Sequence, residues 1–369
     1  MNVVSVVGTR PNFVKLAGLH QAFQTIPDLH HKVVHTGQHY DFKLNAVFFQ
    51  ELKIPEPDYY LEIGSGSHAE QVGNTMIALE NLLREEISTV DWILAIGDVN
   101  AAISTAMVAK KLNHRLVHVE AGLRSFDWQM PEEINRVVTD RLSDLLLVSD
   151  PVGVENLQQE GVEDERIVYV GNVMIDTLRA NLHLAEARPI LKDLDSQDNP
   201  YGVITLHRPS NVDDPHKLHG WLQAFEAVTA HLNLFFVVHP RTQARLSDLG
   251  FQPTDPDRLR LIDSLGYLDM LALQKGAKVV LTDSGGIQEE TTALGVPCLT
   301  LRDNTERPAT VDSGTNQLIG SKPEALLEAV TKILNTPAST QVPPLWDGQT
   351  GQRIAQCLLN SVNLPLRNQ

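Results

Sequence analysis

Val279-Val280-Leu281-Thr282-Asp283-Ser284-Gly285-Gly286-Ile287-Gln288-Glu289-Glu290-Thr291-Thr292-Ala293-Leu294-Gly295-Val296-Pro297-Cys298-Leu299-Thr300-Leu301 is the stretch that decides the fold. Residues 279–282 form a short apolar run between turn residues, the pattern of a buried strand. Asp283-Ser284-Gly285-Gly286 breaks it, and residues 287–294 continue as a helix with Gly295 at its C′ position and Pro297 as the stop. Residues 298–301 are the next strand. A strand, a glycine turn and a helix start place free backbone N–H groups and a positive dipole end at the carboxyl edge of a sheet, which suits an anion. Glycine there permits φ > 0 and lets a phosphate oxygen approach without meeting a Cβ. Glu290 lies about one turn into the helix, where a carboxylate can accept from ribose hydroxyls. Arg307 follows the next strand as a fork of fixed donors for phosphate. Ser284, Gly285, Gly286, Glu290 and Arg307 together read as a nucleoside diphosphate site; the plainer alternative is a βα connection whose glycines serve only the turn.

The chain has 369 residues with 42% hydrophobic content, enough for two ordinary cores, and 5% aromatics, so those cores are mainly aliphatic. Its formal charge of −16 argues against nucleic-acid and anionic-membrane partners, so a phosphorylated substrate needs locally clustered cations. The two cysteines, Cys298 and Cys357, make no CxxC motif or disulfide framework and point to a reducing cytoplasm. The opening run to Val7 reads as a strand and not a signal peptide, and no stretch approaches the ~18 apolar residues of a membrane span.

Read from the start, strands are predicted at residues 3–7, 32–35, 92–96, 116–119, 145–148 and 167–170, then at 201–205, 234–238 and 259–262 before the opening element. The reading is α/β, with two parallel-sheet domains: 1–170, completed by a C-terminal helix within 351–369, and 171–350. In the first, Arg10 and Lys15 begin a helix at a sheet edge, where cations oppose the dipole; a missing anion would explain them, and solvated charge is the plainer alternative. Asp98 and Glu120 end successive strands, and Pro131-Glu132-Glu133 opens a helix to which Arg136 belongs. Carboxylates gathered on one edge repel, which moves their pKa values toward useful ones. In the second, His207-Arg208 and His239-Pro240-Arg241 end strands. His35 and His39 have an i, i+4 spacing, but they straddle a strand end, so a metal is not expected. Gly64-Ser65-Gly66-Ser67-His68-Ala69 formally fits a dinucleotide fingerprint, but its preceding strand is too short, so no cofactor is expected.

Gly8-Thr9-Arg10-Pro11, Gly97-Asp98-Val99-Asn100, His118-Val119-Glu120-Ala121-Gly122-Leu123-Arg124, Pro131-Glu132-Glu133-Ile134-Asn135-Arg136, His207-Arg208, and Asp283-Ser284-Gly285-Gly286-Ile287-Gln288-Glu289-Glu290 with Thr305-Glu306-Arg307-Pro308 resemble the non-hydrolysing UDP-N-acetylglucosamine 2-epimerases. The resemblance runs from Gly8 to about Gly320. It implies two Rossmann-like domains facing a cleft, of glycosyltransferase-B type, and interconversion of UDP-GlcNAc with UDP-ManNAc. It implies elimination of UDP to 2-acetamidoglucal and re-addition, without NAD or metal. Asp98, Glu120, Glu132 and His207 match the catalytic residues. Arg10, Lys15, Arg136, Arg208, His239, Arg241, Ser284, Gly285, Gly286, Glu290 and Arg307 form the expected substrate- and UDP-binding set. A cytoplasmic homodimer serving surface-polysaccharide synthesis is expected, with the UDP-sugar as partner and neither nucleic acid nor membrane.

Two positions depart from the pattern. Asn12 stands where many members have glutamate, and His207-Arg208-Pro209-Ser210-Asn211 replaces His-Arg-x-Glu-Asn. Bacterial members commonly need UDP-GlcNAc at a second site. There this chain matches Gln38 but has Asp41, a loop at residues 64–67 without a cation, and Ser210, so activation by UDP-GlcNAc is not expected. Rival readings are a retaining glycosyltransferase, a hydrolysing epimerase, an epimerase of a modified UDP-sugar and a non-enzymatic UDP-sugar sensor.

Overall fold

Residues rich in Val, Ile and Leu, bounded by glycine turns, assemble into two all-parallel sheets buried on both faces. The computed structural model describes residues 1–37, 49–87, 89–195, 199–336 and 341–361. The first sheet comprises β1 (Asn2–Val7), β2 (His30–His35), β3 (Tyr59–Tyr60), β4 (Trp92–Ile96), β5 (Leu116–Ala121), β6 (Leu145–Val148) and β7 (Ile167–Tyr169). Their order is β3-β2-β1-β4-β5-β6-β7. The second comprises β8 (Tyr201–Thr205), β9 (Asn233–Val237), β10 (Leu259–Ile262), β11 (Val279–Thr282), β12 (Cys298–Thr300) and β13 (Asn316–Leu318), in the order β10-β9-β8-β11-β12-β13. Both are doubly wound, so each has a switch point where the order reverses: between β1 and β4, and between β8 and β11. Ligand sites of open α/β sheets form outside the strands' carboxyl ends at such points.

The cores are chiefly aliphatic, as the composition suggests. In the second unit Trp221, Phe225 and Phe236 add a buried aromatic group among leucines and valines. Two strands escape the sequence pattern, β3 and β13, which at two and three residues are too short and too polar for an apolar run.

The chain divides into Met1–Ala180 with Pro344–Gln369, and Asn181–Pro343. The boundary therefore lies inside the helix Val173–Glu186 rather than at residue 170, and the return comes before residue 351. The reason is packing. The Thr177 hydroxyl donates to the Val14 carbonyl at 2.6 Å, and the Asp176 carboxylate accepts from the Gly351 N–H at 2.6 Å. A Cβ on Gly171 would lie 2.3 Å from the Leu345 carbonyl oxygen, and the Trp346 indole donates to the Ser149 carbonyl at 3.1 Å. The last described helix, Thr350–Ser361, packs on the helix Arg10–Phe23. A Cβ on Gly351 would meet the Gly18 carbonyl oxygen at 2.7 Å, so glycine sets that approach.

Candidate active site

At the first switch point β1 ends in Gly8-Thr9, and the helix Arg10–Phe23 begins with Pro11 in its first turn. Asn12 is buried, and both ends of its amide are hydrogen-bonded. Its Oδ1 accepts from the Gly8 and Thr9 N–H groups, at 3.2 and 3.3 Å, and its Nδ2 donates to the Ile96 carbonyl at 2.9 Å. It stitches the end of β1 to the end of β4. A glutamate has no donor for Ile96, so this departure has a structural use. The Arg10 side chain lies outside the described residues.

Gly97 has φ +68°, and a Cβ there would stand 3.0 Å from Lys15 Nζ and 3.2 Å from Glu120 Oε2. The buried Lys15 ammonium is ion-paired with the equally buried Glu120. Glu120 itself has φ +76°, beside an irregularity in the pairing of β5 with β6 between Val119 and Ala121. A left-handed glutamate costs about 1–3 kcal/mol and persists only where its surroundings over-determine it. Here that strain aims a carboxylate at the sheet's edge.

Asp98, with its side chain 23% exposed, is held from the helix Pro131–Leu142. Arg136 donates to its carboxylate at 2.5 Å and Asn135 to its carbonyl at 2.9 Å. Arg136, expected in the substrate-binding set, is 2% exposed and bridges Asp98 to Glu133. Glu133 accepts from the Ser125 and Phe126 N–H groups, both at 2.9 Å, fixing the loop that precedes the helix. Its neighbour Glu132 is only partly buried. Beneath this edge, His118 lies between Asp140 and the Gly97 carbonyl, at 2.5 and 2.8 Å. Burial alone would raise the Asp140 carboxyl, but His118 and Arg124 outweigh it and hold the group below its ordinary range.

At the second switch point β8 leads into Leu206-His207-Arg208, and β11 leads into Asp283 and the helix Gly285–Leu294. Asp283 is fully buried and accepts from the Arg208 N–H at 2.8 Å, the His207 N–H at 3.1 Å and Asn211 Nδ2 at 3.0 Å. Its Oδ1 is also 2.9 Å from His207 Nδ1. Burial raises the Asp283 carboxyl, yet His207, Asn211 and the Arg208 N–H together bring it below its usual value.

Ser284 is the N-cap of the helix Gly285–Leu294. Neither Gly285 nor Gly286 has a positive φ, so the backbone freedom expected of them is not used. Close approach is: a Cβ on Gly285 would lie 2.7 Å from Glu306 Oε1. Glu306 binds Arg302 at 2.7 Å and lies 3.5 Å from Arg208. Burial raises its carboxyl, but Arg302, Arg307 and Arg208 drive it far below the usual range. Arg307 is 3.2 Å from Glu289. Gly295, with φ +70°, closes the helix as its position predicts.

Glu290 does not stand open at the turn. It is 6% exposed and faces the helix Tyr267–Gly276, where Gln274 donates to it at 2.8 Å. With neutral partners, burial pushes its carboxyl up to about 7. His239 caps the helix Pro240–Asp248 by accepting from the Arg241 N–H at 3.2 Å, and its ring lies 5.4 Å from that of His207. Arg241, expected to hold UDP, is on the surface and pairs with Asp213 at 2.6 Å.

The structure thus gathers Lys15, Asp98 and Glu120 on the first sheet's edge, and His207, Arg208, Ser284, Gly285, Gly286 and Arg307 on the second's. The sequence reading missed Asn12 as a clamp, Asp283 beneath His207, and Arg302 with Glu306. An acid at a strand's end before a glycine turn was the signal for Asp283. Among the described residues no three His, Cys, Asp or Glu side chains could share a metal ion. His39, Gln38 and Asp41 lie outside the described residues. The glycines of residues 64–67 precede Ser67, which caps the helix His68–Glu85 by accepting from the Glu70 N–H.

A family model described as UDP-N-acetylglucosamine 2-epimerase matches residues 21–359. A UDP-N-acetylglucosamine 2-epimerase of Methanocaldococcus jannaschii is 40% identical over 366 residues, 97% of this chain and 99% of that one. The UDP-2,3-diacetamido-2,3-dideoxy-D-glucuronate 2-epimerase of Pseudomonas aeruginosa is 36% identical over 361 residues, 97% and 99% of the two chains. The crystal structure of the M. jannaschii enzyme with UDP-GlcNAc and UDP superposes with a TM-score of 0.90 at 39% identity, covering 98% of this chain and 100% of that one. The fold is that of the glycosyltransferase-B-type epimerases, with two Rossmann-like units. Motifs, fold and full-length identity agree: this chain belongs to the UDP-N-acetylglucosamine 2-epimerase family and is an epimerase.

Proposed function

We propose that the protein reversibly epimerises UDP-GlcNAc to UDP-ManNAc at C2, without hydrolysis and without NAD or metal. The C2–H bond breaks toward a carboxylate, its electrons form the C1=C2 bond of 2-acetamidoglucal, and UDP leaves with the C1–O electron pair. UDP then returns to C1 as a proton is delivered to the other face of C2. The observation that carries this reading is the strained Glu120, buried against Lys15 at the same sheet edge as Asp98. Carboxylates there supply general acid–base catalysis. Glu132 is the third candidate. His207, Arg208, the Ser284-Gly285-Gly286 helix start and Arg307 supply donors for the departing diphosphate, with Arg10 and Lys15 as further cations. The enzyme acts in the cytoplasm as a homodimer and supplies ManNAc-type precursors for surface polysaccharide.

The test is a proton NMR time course with UDP-GlcNAc in D2O. The expected product is UDP-ManNAc carrying deuterium at C2. Product that keeps its C2 hydrogen, free sugar, or activity that depends on NAD overturns the mechanism. The Pseudomonas relative favours one second reading, a modified UDP-sugar as substrate. Running the diacetamido-uronate beside UDP-GlcNAc separates the two by kcat/KM.

We also propose that UDP-GlcNAc is not an activator. Ser210, in place of glutamate, sits exposed on the short helix Pro209–Val212. Each lost charged contact is worth roughly 1.5–3 kcal/mol, so two losses weaken an effector a few hundred-fold or more. Pure UDP-ManNAc is expected to react without a lag; a lag abolished by a trace of UDP-GlcNAc overturns this.

A further inference from the structure

Asp283 sits where two features of the second unit meet, and its contacts exceed those of a turn cap. Its carboxylate accepts from the backbone N–H groups of His207 and Arg208, which alone would account for an acid at this strand end. Yet Oδ1 also lies 2.9 Å from His207 Nδ1. The carboxylate is held against rotation by a buried chain: Trp221 Nε1 donates to Asn211 Oδ1 at 3.3 Å, while Asn211 Nδ2 donates to Asp283 at 3.0 Å and to the Leu301 carbonyl at 3.0 Å. Asp283 and Trp221 are 0% exposed and Asn211 1%, whereas the His207 side chain is 35% exposed. The pair therefore runs from a rigid buried carboxylate to an imidazole that reaches the surface.

We infer that Asp283 is a positioning residue for His207, fixing the ring's orientation and its Nδ1–H so that Nε2 is the nitrogen offered to the substrate. A carboxylate is an acceptor only, so the nitrogen facing it carries a proton. Any proton His207 exchanges with the diphosphate then moves through Nε2. Buried carboxylates that select a tautomer this way are a general device of histidine-dependent enzymes. The inference rests on the elimination reading only for what His207 does with Nε2. The pairing itself is a property of the free protein, and the ionised state of Asp283 agrees with it.

The experiment is a double-mutant cycle of His207→Asn and Asp283→Asn, measuring kcat and KM for UDP-GlcNAc and the Kd of UDP. Asparagine keeps one oxygen for the backbone N–H groups but turns an NH2 toward Nδ1, which reverses the tautomer. Each single variant is expected to lose ~10²–10⁴-fold in kcat with UDP affinity retained, and the double variant to be no slower than His207→Asn. Losses that multiply in the double variant, or loss of UDP binding with kcat preserved, make Asp283 a turn cap and overturn the proposal. Should Asp283→Asn not fold, long-range 1H–15N spectra of wild-type protein read the His207 ring directly. A protonated Nδ1 supports the proposal, and an unprotonated Nδ1 overturns it. Wild-type protein inactive on UDP-GlcNAc would instead sink the functional reading, with the ring spectrum still deciding the pair.

Discussion

At the carboxyl edge of the first sheet, Asp98 and Glu120 each face a cation brought from another element, Arg136 and Lys15. At the corresponding edge of the second sheet, three buried acids divide by partner. Glu306 is surrounded by arginines, Asp283 by His207 and backbone N–H groups, and Glu290 by the neutral Tyr267 and Gln274. Apart from the extra edge strand β7 in the first, the two sheets share one strand order, so topology does not create this difference. The residues at the strand ends do. A carboxylate given a cation keeps its charge on burial, whereas one given only neutral partners is pushed toward its protonated form. The first edge pairs each acid with a cation, and Glu120 there has a left-handed backbone. The second uses acids mainly to organise cations and a histidine.

The sharpest way to break this comparison is Glu120→Gln, which removes the strained carboxylate and leaves Lys15 without its ion pair. A fall of ~10²–10⁴-fold in kcat is expected, with UDP binding retained, because the second unit's donors are untouched. Turnover near wild type would remove Glu120 from the catalytic set.

Glu290 gives the next largest effect. Its folded pKa, about 7, lies above the ordinary 4.5, so between these values the native state keeps a proton that the unfolded chain has released. Stability from this group is therefore full below pH 4.5, falls as pH rises toward 7, and levels beyond, a loss of up to about 3 kcal/mol. Urea midpoints at pH 5 and pH 8 are expected to show that decline in wild type and a smaller one in Glu290→Gln. Equal declines in both would mean that the carboxyl is not buried among neutral partners.

Gly97→Ala tests the crowding beneath the first edge. A left-handed alanine costs about 1–2 kcal/mol, and its Cβ, 3.0 Å from Lys15 Nζ, must also displace the Lys15–Glu120 pair. A lower thermal midpoint together with reduced kcat is expected. Loss of stability with kcat unchanged would separate the glycine from the site.

Arg241→Ala is expected to do least. Its exposed pair with Asp213 is of the kind worth roughly 0.2–1 kcal/mol, so UDP affinity is expected to stay within about fivefold of wild type. A loss of a hundredfold would restore Arg241 to the UDP-binding set and show that it leaves Asp213 when the nucleotide binds.

Most strands and the helix closure at Gly295 are legible because apolar runs and glycine stops are written within a few neighbouring residues. The Gly-Gly turn shows the limit. Sequence places it at a helix start, but its glycine serves the approach of Glu306 and not a positive φ. Strands β3 and β13 were illegible because edge strands of two and three residues carry no periodicity to read.

The sequence by itself determined the double α/β architecture, the family motifs and the residue types at each strand's carboxyl end, since these follow from local pattern and turn chemistry. Only the tertiary structure decided which charge faces which. Lys15 meets Glu120 across 105 positions, and His207 meets Asp283 across 76. Those pairings, the inward turn of Arg136 and the neutral surroundings of Glu290 arise from burial and strand order. No window of neighbouring residues records them, because desolvation and Coulomb energy depend on distance in space.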